Sequence, residues 1–213
     1  VIRFRHAFAN PEAGIELREK SAANPAYYTR AFCRDCNTGW MADLEGAVKP
    51  ILAPMLNGQR CLVTSDAARL LSFWATKTIL AFQSVESDVT TFARPEDFTR
   101  LFEEQAAPRN CQIWLAAVRS GDSLNYRAHT VMRRGQTEDG ADGFGASLIL
   151  GHVAFYFLMG FSEPIGLRLG ASISVALREI HPLPKGDFLW PAHALVQPHP
   201  EHALTDLIIN HSR

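Results

Sequence analysis

Apolar positions recur at helical spacing through the first half of the chain and at strand spacing through the second. Met41, Leu44, Val48, Ile51, Leu52 and Met55 follow one another at intervals of three and four, the stripe of a half-buried helix. Asn37 or Thr38 is expected to cap its start, because either side chain can accept from a free first-turn N–H. Pro50 and Pro54 are expected to kink or interrupt it, and Asn57-Gly58 to end it. A second helix is expected from the Ser65-Asp66 capping pair to about Ser84, with Leu70, Leu71, Trp74, Ala75, Thr78, Ile79 and Phe82 inside. A third starts at Pro95, carries Glu96 and Asp97 in its first turn, and ends near Ala107-Pro108.

Beyond that point the period shortens. Cys111–Val118, Leu124–Arg133, Ala146–Leu150, His152–Met159 and Ile173–Ile180 read as strands, with a hairpin-type turn at Arg119-Ser120-Gly121-Asp122 joining the first two. Residues 1–32 look irregular: Pro11, Gly14 and Asn24-Pro25 are turn signals, Ile15–Arg18 alternates like a short strand, and the β-prone Tyr27–Phe32 leads into Cys33. The tail from His181 is rich in Pro and His, with a last short helix expected over Ala203–Asn210. Helices followed by strands predict an α+β fold with mostly antiparallel pairing. The organisation expected is a first unit at 1–58, ending with the long helix, and a second at 59–213 comprising a helical segment and a sheet.

The 20 residues from Gly143 to Ser162 carry no charge, a length that spans a bilayer. They also hold four glycines and His152, and divide at Gly151 into two pieces of strand length, so two adjacent buried strands are the expectation and no membrane partner is assigned. With 213 residues, 47% of them hydrophobic, the chain can bury a sizeable core. Its 21 basic and 22 acidic residues exclude a uniformly basic, histone-like binder but allow a local basic face. The start at Val1 rather than Met reads as a cut or processed end. Four cysteines are too sparse for a secreted disulfide framework, which points to the cytoplasm. Cys61 and Cys111 lie in apolar surroundings and read as core residues.

Cys33 and Cys36 are different. Two Cys separated by two residues can hold one tetrahedral metal from a tight turn, and thiolates suit Zn²⁺, although a structural site usually needs four ligands. A single pair supplies half of them, and His6 has no setting that recommends it. A redox pair and two incidental cysteines are the other readings of the spacing; a redox pair of the thioredoxin kind needs a βαβ setting that the pattern lacks.

The longer string Cys33-Arg-Asp-Cys-Asn-Thr-Gly-Trp-Met-Ala-Asp-Leu-Glu45, with Lys49-Pro50, Met55 and Gly58 after it, resembles a family of bacterial and phage HNH-endonuclease-like proteins. Weaker echoes are Trp74-Ala-x-Lys77-Thr78, Gly151-His152-x-Ala154-Phe155 and Trp190-Pro191, so that the likeness reaches over residues 33–191. The resemblance implies a ββα-metal nuclease module. In such modules a hairpin His activates water, and a His or Asn on the following helix helps to hold a divalent ion on the scissile phosphate. Carried over, Cys33 and Cys36 match half of a zinc knuckle and Asn37 matches the catalytic-metal ligand, offering a neutral oxygen suited to Mg²⁺ or Mn²⁺. Asn37 reads equally well as a helix cap, and Trp40 reads as a packing residue.

The family's first Cys-x-x-Cys and its Arg-Glu-His segment are not present, so the resemblance implies a partial module that is catalytically incomplete by itself. Two functions follow as expectations: metal-dependent phosphodiester hydrolysis of nucleic acid, DNA foremost, in the parent protein, or a non-catalytic zinc-stapled module binding a protein or nucleic acid. Residues 1–34 carry a net +3 with Phe4, Tyr27 and Tyr28 interspersed, which fits either a phosphate-tracking surface or a solvated face. His152 reads as a hydrogen-bonded core residue. No phosphate loop, nucleophile elbow or dinucleotide fingerprint occurs.

Overall fold

A computed structural model describes residues 2–10, 14–22, 32–85, 93–118, 125–131, 143–162, 165, 177–182 and 186–191, with 2–10, 14–22 and 125–131 described as backbone. The expected turn at 119–122, the segment 27–31, residues 173–176 of the predicted strand 173–180 and the tail from 192 lie outside these residues.

Two strands, β1 (Ile2–Asn10) and β2 (Gly14–Ala22), pair antiparallel from Ile2↔Ala22 to Asn10↔Gly14. This corrects the expectation of an irregular start. Ile2, Phe4 and Phe8 alternate with Arg3, Arg5 and Ala7, a period-two signal, and Gly14 begins the returning strand. A short helix α1 (Arg34–Thr38) follows, then α2 (Trp40–Leu56), broken from it at Gly39. A Cβ on Gly39 would lie 2.7 Å from the Asp35 carbonyl oxygen, so a side chain there would not fit.

α2 passes through Pro50 and Pro54 without interruption, against expectation. The carbonyls that the two prolines leave without an N–H partner belong to Gly46 and Pro50, both exposed, where water can satisfy them. Its inward stripe is the predicted one: Met41, Leu44, Val48, Leu52 and Met55 are buried. It ends in a Schellman motif, with Gly58 N–H donating to Met55 O, Gln59 N–H to Pro54 O, and Gly58 at φ +69°.

After the short strand β3 (Cys61–Val63) comes α3 (Ser65–Val85). Thr64 caps it rather than the expected Ser65-Asp66 pair: its Oγ1 accepts from Ala67 N–H at 3.1 Å. Asp187, 122 residues away, accepts from Ser65 N–H at 2.8 Å. α4 (Pro95–Glu104) starts as predicted, with buried Asp97 accepting from the Arg94 N–H and guanidinium.

The remaining strands are β4 (Cys111–Ala117), β5 (Asn125–Val131), β6 (Gly143–Leu150), β7 (Val153–Gly160), β8 (Arg178–His181) and β9 (Phe188–Trp190). β9 pairs with β3, and the others form one antiparallel sheet in the order β5-β6-β7-β4-β8. β4 and β5 are therefore not hairpin partners as expected. Instead β4 lies between β7 and β8, and β4 to β7 make a Greek key. The uncharged run at 143–162 is the β6–β7 hairpin, and among the described residues no helix is long and apolar enough to cross a membrane.

Strand alternation gives this sheet two buried faces. Ile113, Leu115, Phe144, Leu148, Phe155, Phe157 and Met159 join α2, α3 and Leu101 of α4 in the main core. Trp114, Ala116, Ala154, Tyr156 and Leu158 face the other way and pack with Ile165 and Leu177. The architecture is α+β with antiparallel sheets. At β8 the register slips between Ile113 and Trp114, leaving Ile180 as an extra residue. Ser72 Oγ of α3 reaches the Ile180 carbonyl at 3.2 Å, which explains a hydroxyl buried in this core.

Candidate metal-binding turn at Cys33–Asn37

Cys33 is the N-cap of α1. Its backbone is extended (φ −70°, ψ 163°), its carbonyl accepts from Asn37 N–H at 3.0 Å, and its sulfur accepts from Cys36 N–H at 3.1 Å. The cap is thus a cysteine, and Asn37 sits at the far side of the first turn; the expectation that Asn37 or Thr38 starts the helix is corrected. Thr38 spends its hydroxyl on the Arg34 carbonyl at 3.0 Å. Cys33 and Asn37 are exposed and Cys36 is half-buried.

The two thiols are not equivalent. The Cys36 thiol and backbone N–H both donate to the Cys33 sulfur, which lowers the Cys33 pKa from its ordinary value. The same thiol contact, helped by burial, raises that of Cys36. Trp40 Nε1–H is buried and lacks a partner of full hydrogen-bond geometry; its pull on the Cys36 sulfur opposes that rise. Cys33 is therefore the more accessible of the two sulfurs and the one whose pKa lies below the ordinary thiol value. Cys111, buried in the core with its thiol pKa pushed well up by desolvation, and Cys61, half-buried and also raised, are core thiols as expected.

The residues around the turn hold it in place. Phe32 meets Phe98 of α4 edge-on at 5.5 Å. Trp40 stacks on Phe73 of α3 at 5.5 Å and 8°, and touches Phe102 of α4 at 6.3 Å. Lys77 Nζ, buried in α3, pairs with Glu45 of α2 at 2.5 Å. The opposite end of α2 is fixed by the β6–β7 turn, where His152 N–H donates to the Leu56 carbonyl at 3.2 Å. His152 also bonds through Nδ1 to Val118 O at 3.1 Å, so it is hydrogen-bonded as expected, but half-buried rather than a core residue. Gly151, at φ +51°, lets this approach occur: a Cβ there would lie 2.5 Å from the Leu56 carbonyl oxygen.

The residues of the sequence string thus divide by role. Trp40, Met41, Leu44, Glu45, Gly58, Lys77, Gly151 and His152 build the mounting of α2. Cys33, Cys36 and Asn37 do no packing work of that kind and face outward or nearly so. The pair can give a metal two thiolates from one turn. Among the described residues no three His, Cys, Asp or Glu side chains converge, so further ligands are not placed beside it. Sequence reasoning singled out Cys33, Cys36 and Asn37 but missed the Glu45–Lys77 pair, although both residues lay in the two strings it quoted. No protein-family model, no characterised protein and no solved structure matches this chain.

Proposed function

We propose that this chain contributes the helix-side half of an HNH-type, zinc-stapled nuclease module, acting in phosphodiester hydrolysis of nucleic acid. The observation that carries the reading is the Cys33–Asn37 turn: two accessible or half-accessible sulfurs and an exposed carboxamide, on the short helix α1 that directly precedes the anchored helix α2. Cys33 and Cys36 would hold a structural Zn²⁺, the backbone N–H of Cys36 stabilising the thiolate of Cys33. Asn37 would give its neutral side-chain oxygen to Mg²⁺ or Mn²⁺. Such an ion offsets charge on the phosphate and on the leaving oxygen.

A second reading, a zinc-stapled binding module without catalysis, draws on the lack of converging acidic or His side chains around Asn37 among the described residues. Two measurements separate them. Co²⁺ titration should give thiolate-to-metal charge-transfer absorption that disappears in Cys33→Ser and in Cys36→Ser; no such band in the wild type overturns both. In the natural full-length polypeptide, supercoiled plasmid should be nicked with Mg²⁺ or Mn²⁺, and Asn37→Ala should slow this roughly 10- to 100-fold at unchanged zinc content. No nicking, or an unaffected Asn37→Ala variant, rejects the nuclease assignment in favour of the binding module.

A further inference from the structure

We propose that Cys33 and Cys36 form a redox-modifiable dithiol, in which Cys33 attacks a small-molecule disulfide and Cys36 resolves the adduct into an intramolecular disulfide. The reaction asks only for local geometry, and so does not need the βαβ frame of thioredoxin-like proteins. Cys33 Sγ lies 3.1 Å from Cys36 N, so the two cysteines belong to one tight turn, three residues apart. Exposure is asymmetric in the useful direction. Cys33 is open to an incoming reagent, whereas Cys36 sits half-buried beside Trp40 and is better placed for a partner already on the protein.

The balance is complete with one co-reactant, a low-molecular-weight disulfide such as oxidised glutathione. The Cys33 thiolate attacks one of its sulfurs, the external S–S bond breaks, and the first glutathione leaves as thiolate. Cys36, losing its proton to solvent, attacks the Cys33 sulfur; the mixed bond breaks and the second glutathione leaves. Two protein thiols are oxidised and one external disulfide is reduced to two thiols. The other two cysteines do not compete: Cys111 is fully buried and Cys61 is half-buried in β3. Metal and disulfide would exclude each other, because both use the same sulfurs. The inference does not rest on the zinc reading, and is tested on metal-free protein.

The metal-free full chain is treated with oxidised glutathione, quenched with acid, and analysed by intact and peptide mass with thiol counting. The expected result is loss of two of the four thiols with no glutathione retained, and a Cys33–Cys36 peptide cross-link. Cys36→Ser should accumulate one glutathione on Cys33. Cys33→Ser should lose the fast adduct phase. Four free thiols in the wild type overturn the proposal, as does closure through Cys61, or glutathione retained on both Cys33 and Cys36. Equal adduct rates in the two single variants overturn the assignment of attacking and resolving roles.

Discussion

Removing the Glu45 carboxylate should destabilise the protein, while removing the charge it neutralises should not. Lys77 is only 6% exposed and its ammonium pairs with Glu45, which is 59% exposed. The pair is therefore neither a surface ion pair, worth about 0–1 kcal/mol, nor a fully buried one, whose breaking costs about 3–5 kcal/mol. Glu45→Ala strands an ammonium among apolar side chains of α2 and α3, but water can reach it through the space the glutamate vacates. An intermediate cost of about 1–3 kcal/mol follows. For a domain of this size, about 2 kcal/mol lowers Tm by roughly 4–8 °C. Lys77→Met keeps the length of the side chain and removes the charge, and should change stability by less than about 1 kcal/mol. The double variant should resemble Lys77→Met, because without the ammonium the carboxylate is an ordinary surface group. Urea denaturation followed by far-ultraviolet circular dichroism would measure all four proteins. A Lys77→Met variant as unstable as Glu45→Ala, or additive costs in the double variant, would refute the reasoning.

Three other outcomes follow from particular contacts. Gly151→Ala should cost roughly 1–3 kcal/mol for the left-handed backbone alone, and more because its Cβ would meet the Leu56 carbonyl; unchanged urea stability would contradict that approach. Asp187→Ala should cost about 1 kcal/mol through loss of the bond to Ser65 N–H, read as a lower denaturation midpoint at unchanged slope. Burial lowers the pKa of His181, outweighing the raising effect of its Nε2 bond to Pro108 O. The unfolded chain then binds a proton more readily, so stability is fully present above the unfolded His pKa of about 6.5 and declines as pH falls from there to the lower folded value. His181→Gln, which keeps a donor in that place, should flatten this part of the stability profile between wild type and variant; identical slopes would count against it.

The helices were legible because their signals are local. The stripe from Met41 to Met55 needs nothing beyond spacing to declare a buried face, and Gly58 and Pro95 mark ends by their own backbone requirements. The caps were misplaced: the striped helix α2 begins after Gly39 with no side-chain cap, the sulfur of Cys33 caps the separate α1, and Thr64 rather than its neighbour Ser65 took the role before α3. Strand positions were also readable, yet their pairing was not. The alternation in Cys111–Val118 is the same whether the strand meets β5 or β7, and the nearby Gly121-Asp122 suggested the wrong neighbour. The candidate site was visible as residue identities. Its asymmetry, one exposed sulfur and one sheltered by Trp40, depends on where α3 and α4 bring Phe73 and Phe102, and spacing along the chain carries no trace of that.

The pairing of β3 with β9 has a kinetic consequence. Residues 61–65 meet residues 187–190 across some 122 positions, and the loop-closure entropy for such a contact is not recovered until most of the sheet between them has formed. The first turn of α3 should therefore form with Thr64 alone and gain its second acceptor, Asp187, late in folding. Substitutions at that seam should speed unfolding and leave the folding rate almost untouched, so the last element to close is also the latch that sets how long the folded protein persists.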